Sequence, residues 1–141
     1  MPGAGRGRVA ALDVGDVRTG VAVSDPGRVI ANPLQVVPSG ELPSFLDRLV
    51  EEQDVREVVV GVPRTLGGEV GFQAQKILAT LDALKRDFPG LLFVEWDERL
   101  TTRIAAGSRG KKGSRKRKPV RVDHLAAARM LQEYLEAGRN T

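Results

Sequence analysis

The order of strand-like and helical segments is the feature that most limits the folds open to this sequence. Three apolar segments come first, at residues 9–14, 20–25 and 29–37. Each is bounded by Gly, Pro or Asp, which is typical of strands joined by turns. Because short connections join antiparallel neighbours, we expect the chain to begin with an antiparallel meander.

Helical and strand patterns then alternate. Residues 39–55 place apolar side chains at helical spacing, with Ser39 as a candidate N-cap. Residues 56–62 form a β-branched run typical of a strand covered on both faces. A second amphipathic helix is predicted from apolar residues that step by four and three: Val70, Ala74, Ile77, Leu81, Leu84 and Phe88.

A last strand and a last helix complete the pattern. Residues 91–96, which are apolar except for Glu95, predict a strand, and residues 122–138 predict a helix. Its expected apolar stripe is Leu125, Ala128, Leu131 and Leu135. The order βββαβαβα predicts an α/β protein with a mixed five-stranded sheet and helices on both faces, because helix-connected strands run parallel through right-handed crossovers. This is the topology of the RNase H-like fold.

Length and composition predict one cytoplasmic domain. A chain of 141 residues fits a single core. Residues 1–7 are a Gly-rich stretch that we expect to be a disordered leader, with the domain at 8–137 and a mobile basic loop at 107–120. No apolar run approaches the ~18 residues of a membrane span, and the first residues lack an apolar signal core.

The residue types that are missing exclude several kinds of site. The chain has no Cys, which removes disulfides, thiolate metal sites and Cys nucleophiles. His124 is the single histidine, which excludes multi-His zinc sites and weakens a Ser-His-Asp scheme. Carboxylates are therefore the candidate metal ligands.

Basic residues are concentrated in one segment. Between residues 99 and 121 there are ten basic residues and no acidic ones, whereas the remaining twelve basic residues face eighteen acidic ones, a net charge of −6. Such a segment on an acidic body predicts a polyanionic partner; the alternative is a solvated loop that aids solubility. Its members are Arg99, Arg103, Arg109, Lys111, Lys112, Arg115, Lys116, Arg117, Lys118 and Arg121.

Four carboxylates stand where strand ends and a helix start can meet. Asp13 interrupts the first apolar strand, Asp97 and Glu98 follow the last strand, and Asp123 opens the final helix. Carboxylates gathered closely repel one another unless divalent cations neutralise them. Oxygen ligands suit Mg²⁺ or Mn²⁺, and two such ions about 3.5–4 Å apart support phosphodiester hydrolysis.

Each carboxylate also has a structural alternative. Asp13 precedes Gly15 and is suited to begin a turn. Asp97 or Glu98 is suited to the start of a helix at 98–106. Asp123 is well placed as an N-cap, and His124 beside it is more often a surface or phosphate-contacting residue than a ligand. The metal-site hypothesis therefore depends on the whole set.

Four motifs in order resemble one known family. They are "LDVGDVRTGVAVSD", "VVVGVPRTLGG", "DERLTT" and "VDHLAAARMLQEYL". Over nearly the whole chain, the sequence resembles the YqgF family, also called RuvX, of RNase H-like nucleases. The family is associated with processing the 5′ end of precursor 16S ribosomal RNA and with Holliday junction resolution.

The resemblance implies roles for individual residues. Asp13 would be the first metal ligand, Glu98 or Asp97 the second and Asp123 the third. Residues expected near phosphates are Arg18 and Arg99, with Thr101 and Thr102 supporting the site. The chain departs from the family at Arg64, where apolar or amide residues are usual, and from RuvC-type enzymes, which carry a Glu on the strand matching "VVVGVP".

The leading hypothesis is a nuclease that uses two Mg²⁺ or Mn²⁺ ions to cleave structured RNA or branched DNA as a monomer or homodimer. The basic segment would hold the backbone electrostatically. The alternative is a non-catalytic nucleic-acid-binding or ribosome-assembly factor that contacts pre-ribosomal particles. An actin-like ATPase would need two such domains around its nucleotide, and 141 residues accommodate one.

Overall fold

Five strands and three helices make up the part of the chain that the structure describes. The structure is a computed structural model, and it describes residues 7–63, 71–98 and 124–139. The strands are β1 (Arg8–Val14), β2 (Arg18–Ser24), β3 (Ala31–Pro38), β4 (Val55–Val62) and β5 (Leu92–Asp97). The helices are α1 (Leu42–Gln53), α2 (Phe72–Asp87) and α3 (His124–Arg139), and a 3₁₀ turn at Ser39–Glu41 precedes α1.

The strands form one mixed sheet with β1 at its centre. Their order is β3-β2-β1-β4-β5. The β1–β2 and β2–β3 pairs are antiparallel, whereas the β1–β4 and β4–β5 pairs are parallel. A tight turn, closed by a 3.0 Å hydrogen bond from Gly15 N to Arg18 O, forces β2 back beside β1. The predicted mixed five-stranded sheet is confirmed.

Helices cover both faces of the sheet, as predicted. Even-numbered β1 residues such as Leu12 pack with α1 and α2, including Leu46 and Ile77. Odd-numbered β1 residues such as Ala11 pack with α3, including Leu131. Because successive side chains of a strand point to opposite faces, β1 contributes to both cores. No described helix has the length and apolar character needed to cross a membrane.

Asp25 shapes the turn between β2 and β3. Its carboxylate accepts backbone hydrogen bonds from Ile30 (2.8 Å), Val29 (2.7 Å) and Gly27 (3.2 Å). These bonds, that from Ile30 foremost, lower the pKa of Asp25. This aspartate of the opening segment therefore has a structural role in the turn.

A buried ion pair between Arg28 and Glu57 lies at the end of the sheet where β1 and β4 begin, and it contacts α3. Glu57 is buried, and its Oε1 lies 2.8 Å from Nη1 of Arg28. The Tyr134 hydroxyl donates to the other Glu57 oxygen, and Arg28 Nε donates to the Gly7 carbonyl at 2.9 Å. The Tyr134 ring also packs edge-on against Trp96, with centroids 5.8 Å apart. Both Glu57 oxygens are thereby hydrogen-bonded, as a buried carboxylate requires.

The prediction that Ser39 caps α1 is wrong. The helix begins at Leu42, with Glu41 at the N-cap position and no side-chain capping bond. Ser39 Oγ instead donates to the Gly15 carbonyl at 2.7 Å and lies 2.9 Å from Thr19 Oγ1. The hydroxyl ties the β1–β2 turn to the end of β3, a long-range role that local sequence does not reveal.

The predicted apolar stripe of α3 is partly wrong. Leu131 and Leu135 are buried as expected, but Leu125 is 56% exposed and Ala128 only half-buried. Ala127 and Met130 are buried in their place. The helix is apolar on several sides near its start, so spacing alone did not determine which side meets the sheet.

Candidate active site

Asp13 lies near the end of the central strand, on the face that α3 covers. It is the sixth of seven residues in β1 and is half-buried. Its antiparallel partner on β2 is Gly20. On the other side, β4 pairs Val60 with Leu12, and the same register sets Gly61 beside Asp13. Two glycines thus flank Asp13 in the sheet, and neither places a side chain beside it.

Glu98 occupies the space above Gly61. A Cβ added to Gly61 would stand 2.5 Å from Glu98 Oε2 and 3.1 Å from Glu98 Cγ. It would also stand 2.8 Å from the sulfur of Met130 on α3. Because neighbouring strands are about 4.8 Å apart, the Glu98 carboxylate lies roughly one strand spacing from the row that contains Asp13. The structure therefore brings Asp13 and Glu98 to one face and one end of the sheet.

The surroundings of Glu98 disfavour its charged form. Burial raises the pKa of the Glu98 carboxyl above its ordinary value, and the neighbouring Asp97 charge raises that pKa further. A carboxylate held in this way is stabilised by any cation that binds beside it.

Asp97 faces the other side of the sheet. It is the last residue of β5 rather than a residue after the strand, and it pairs with Val62. Trp96 belongs to the core beneath α3, so the alternation of the strand directs Asp97 to the opposite face. Of the two acidic residues, Glu98 is the one that shares a face with Asp13.

The first helical turn of α3 brings a histidine to the same face. His124 begins the helix, and its Nδ1 is a buried side-chain atom without a hydrogen-bond partner among the described residues. A buried ring nitrogen of this kind needs a polar group that these residues do not provide. Asp123, the predicted third ligand, lies outside the described residues.

Arg18 is exposed at the same end of the sheet, where it begins β2. This position is consistent with the expected contact to phosphate. The other basic residues considered for contact with nucleic acid lie outside the described residues: Arg99, Arg103, Arg109, Lys111, Lys112, Arg115, Lys116, Arg117, Lys118 and Arg121. Thr101 and Thr102, which were expected to support the site, lie outside them as well. Arg64 and the predicted loop at 107–120 lie outside them too.

The donor set fits a hard divalent cation. Asp13 and Glu98 offer carboxylate oxygens on one face, and oxygen ligands suit Mg²⁺ or Mn²⁺. The described residues by themselves hold no group of three or more His, Asp or Glu side chains able to bind a metal. Two carboxylates with water and substrate oxygens are nevertheless an ordinary Mg²⁺ environment.

Gly61 belongs to this site although it was not among the predicted site residues. The glycine interrupts the run "VVVGV", and a glycine inside a strand signals close approach of another group. That signal was present in the sequence. The approaching group, Glu98, comes from the end of another strand, which only the fold reveals.

The sheet order and its two covered faces define an α/β protein of the RNase H-like class. Solved structures of Thermus thermophilus RuvC share this fold. The RuvC chain in complex with a Holliday junction substrate superimposes with a TM-score of 0.60 at 17% identity, covering 95% of this chain and 96% of that one. A second RuvC structure gives a TM-score of 0.58 at 18% identity, covering 95% and 97%.

Sequence comparison identifies the family within that class. A family model described as "RuvX: Holliday junction resolvase" matches residues 7–137. A Rubrobacter xylanophilus protein named "Putative pre-16S rRNA nuclease" is 61% identical over 132 residues, which cover 94% of each chain. A Fusobacterium nucleatum protein with the same name is 39% identical over 134 residues, covering 92% of this chain and 96% of its own. The chain belongs to the RuvX family, which confirms the resemblance.

Proposed function

We propose that this protein is a divalent-metal-dependent endonuclease that hydrolyses phosphodiesters of structured nucleic acid. The observation that carries the proposal is the Glu98 carboxylate lying over Gly61, on the face that Asp13 shares. Family membership supports the same reaction class, since the relatives are named "Putative pre-16S rRNA nuclease" and the family model is described as a Holliday junction resolvase.

Asp13 and Glu98 are the proposed ligands from the described residues, and Asp123 is the proposed third. Bound Mg²⁺ or Mn²⁺, proposed as a pair, would activate a water and stabilise the leaving oxygen. Partial burial on the α3 face reduces the access of bulk water to Glu98, so that solvent screens its negative charge less and a bound cation stabilises that charge more. RuvC-type enzymes carry a Glu on the strand that corresponds to β4. In this protein Glu98 would supply that carboxylate, because its side chain extends from the residue after β5 over β4.

The positive residues have a separate proposed role. Arg18 would contact a phosphate beside the scissile bond, and the basic segment at 109–121 would hold the backbone without reading sequence. Binding should therefore weaken steeply between low and moderate salt. The proposed substrates are precursor 16S rRNA, from the names of the relatives, and Holliday junctions, from the description of the family model.

A side-by-side cleavage assay tests the proposal. A precursor 16S rRNA fragment and a four-way junction are incubated with the protein while Mg²⁺ or Mn²⁺ is titrated. Asp13→Asn should lower the cleavage rate at least about 100-fold, which corresponds to about 2.7 kcal/mol of transition-state stabilisation, and should leave affinity intact. Asp47→Asn, an exposed acid on α1, is the matched control and should cleave like the wild type.

Two results would overturn the proposal. Cleavage that persists in EDTA or in Asp13→Asn would show that another centre acts. Tight binding of both substrates without cleavage at any metal concentration would favour the alternative of a non-catalytic nucleic-acid-binding factor.

A further inference from the structure

One aromatic ring is exposed although the chain has few of them. The sequence contains six Phe, Trp and Tyr residues, all within the described ranges. Five are buried or half-buried: Phe45, Phe88, Phe93, Trp96 and Tyr134. Phe72 is 74% exposed. A ring in water contributes little to the core, so its place on the surface calls for another explanation.

The Phe72 ring lies beside a lysine that connects α2 to the β1–β2 turn. Phe72 begins α2, and the ammonium of Lys76 stands 4.9 Å from its ring centroid. The same ammonium lies 3.3 Å from the Asp16 carboxylate. Because both members of this ion pair are exposed, it contributes little stability, and a phosphate can compete with Asp16 for the lysine.

This surface lies at the same end of the sheet as Asp13, on the face that α1 and α2 cover, whereas Asp13 and Glu98 share the face that α3 covers. Asp16 follows Asp13 by three residues, so their Cα atoms are at most about 11 Å apart. A cleft of about 150 Å³ separates the turn from α2, with Asp16 on one side and Lys76 on the other. Val17 at the tip of the turn is 73% exposed and adds a second apolar group.

We propose that Phe72 stacks on an unpaired base of the nucleic-acid substrate while Lys76 contacts the neighbouring phosphate. This inference rests on the proposed function and deepens it, because it specifies the substrate class. In a continuous duplex each base is covered by its neighbours, so only an unpaired or unstacked base presents a free face to a ring. Phenylalanine has no hydrogen-bonding group, so the contact selects unpaired nucleotides without selecting their sequence.

A binding assay in EDTA separates this inference from catalysis. The probes are two fluorescein-labelled DNA hairpins whose strands are joined by a non-nucleotide linker, so that one is fully paired and the other carries a single unpaired 2-aminopurine. Phe72→Leu keeps an apolar side chain but removes the ring, and it should weaken binding of the 2-aminopurine hairpin at least about fivefold. It should leave affinity for the paired hairpin unchanged and abolish quenching of 2-aminopurine fluorescence. Phe72→Tyr should restore both signals.

Leu92→Ala is the matched control. Leu92 is 59% exposed and begins β5, at the end of the sheet away from Asp13. This variant should bind both hairpins like the wild type. The inference would be overturned if Phe72→Leu lost affinity equally for both hairpins, lost affinity for neither, or changed its oligomeric state. Selective binding of the 2-aminopurine hairpin, without cleavage of any substrate, would support this inference and contradict the proposed function.

Discussion

The carboxylate of Glu98 lies where a side chain on Gly61 would stand, with Oε2 2.5 Å from the position of the missing Cβ. Since β4 lies between β5 and β1, the Glu98 side chain extends from the residue after β5 over β4, toward Asp13 on β1. The glycine is what permits the approach, so the proposed site depends on the absence of a side chain.

Gly61→Ala should disable the site. The new methyl group would overlap Glu98 and the Met130 sulfur, and the flexible Glu98 side chain is the group that can move away. We expect at least about a tenfold loss of metal-dependent cleavage, as seen when groups that orient metal ligands are removed. Thermal unfolding should show a smaller change. Cleavage rate and Tm are measured together.

Gly40→Ala and Gly90→Ala provide controls for this substitution, because an added Cβ at either position meets nothing within 4 Å. Both should retain wild-type cleavage. A fully active Gly61→Ala would mean that the position of Glu98 over β4 is irrelevant to the reaction.

The raised pKa of Glu98 predicts a pH-dependent effect of Glu98→Gln. Because burial and Asp97 raise this pKa above 4.5 in the folded state, the stability contributed by the neutral carboxyl is fully present below the ordinary pKa. It is lost as the pH rises through the folded-state pKa. In EDTA at pH 7, Glu98→Gln should therefore have a Tm about 1–3 °C above that of the wild type.

Two further measurements complete that test. Near pH 3 the Tm difference should vanish, since the Glu98 carboxyl is then neutral in both the folded and the unfolded state. Adding Mn²⁺ at pH 7 should raise the Tm of the wild type more than that of the variant. A variant that is less stable than the wild type at pH 7 in EDTA would show that the Glu98 charge is compensated within the protein.

The sheet was predictable because its connections are short and its order is fixed by helices. The few residues between β1 and β2 leave no choice but an antiparallel pair, and a helix before β4 and another before β5 require parallel crossovers. These are local properties of the sequence. They predict the directions of the strands, whereas the central position of β1 follows from the strand order of the fold.

The predictions that were wrong or left open depend on contacts between distant segments of the chain. Near the start of α3, "LAAARML" is apolar on more than one side, and its buried side is chosen by Val9 and Ala11 on β1. The choice between Asp97 and Glu98 depends on whether β5 ends one residue earlier or later, since each step in a strand reverses the side chain. Periodicity does not fix either point.

Tyr134→Phe should destabilise the opposite end of the sheet without affecting the site. The variant removes the hydroxyl that donates to the buried Glu57 carboxylate. Hydrogen bonds to charged groups contribute about 1.5–3 kcal/mol, so we expect a loss of about 1.5 kcal/mol in the free energy of unfolding. Arg56→Ala, which breaks the exposed pair with Asp54, should cost less than about 0.5 kcal/mol. Chemical denaturation compares the two, and equal losses would contradict the account.

The ionisation of Tyr134 gives a second test of the same contact. Burial, followed by the hydrogen bond to Glu57, raises the pKa of Tyr134 to about 12. The stability that this raised pKa represents is fully present below pH 10 and lost between about pH 10 and about pH 12. Because the chain has one tyrosine, its phenolate absorbance titrates this group alone. A midpoint near 10 in the folded protein would exclude the buried bond.

The central claim is that Asp13 and Glu98, but not Asp97, bind the same divalent cation. Isothermal titration of Mn²⁺ into the wild type and into Asp13→Asn, Glu98→Gln and Asp97→Asn tests it directly. We expect at least about a tenfold loss of affinity in the first two variants and an affinity close to wild type in Asp97→Asn. Loss of binding in Asp97→Asn, with Glu98→Gln unaffected, would contradict it.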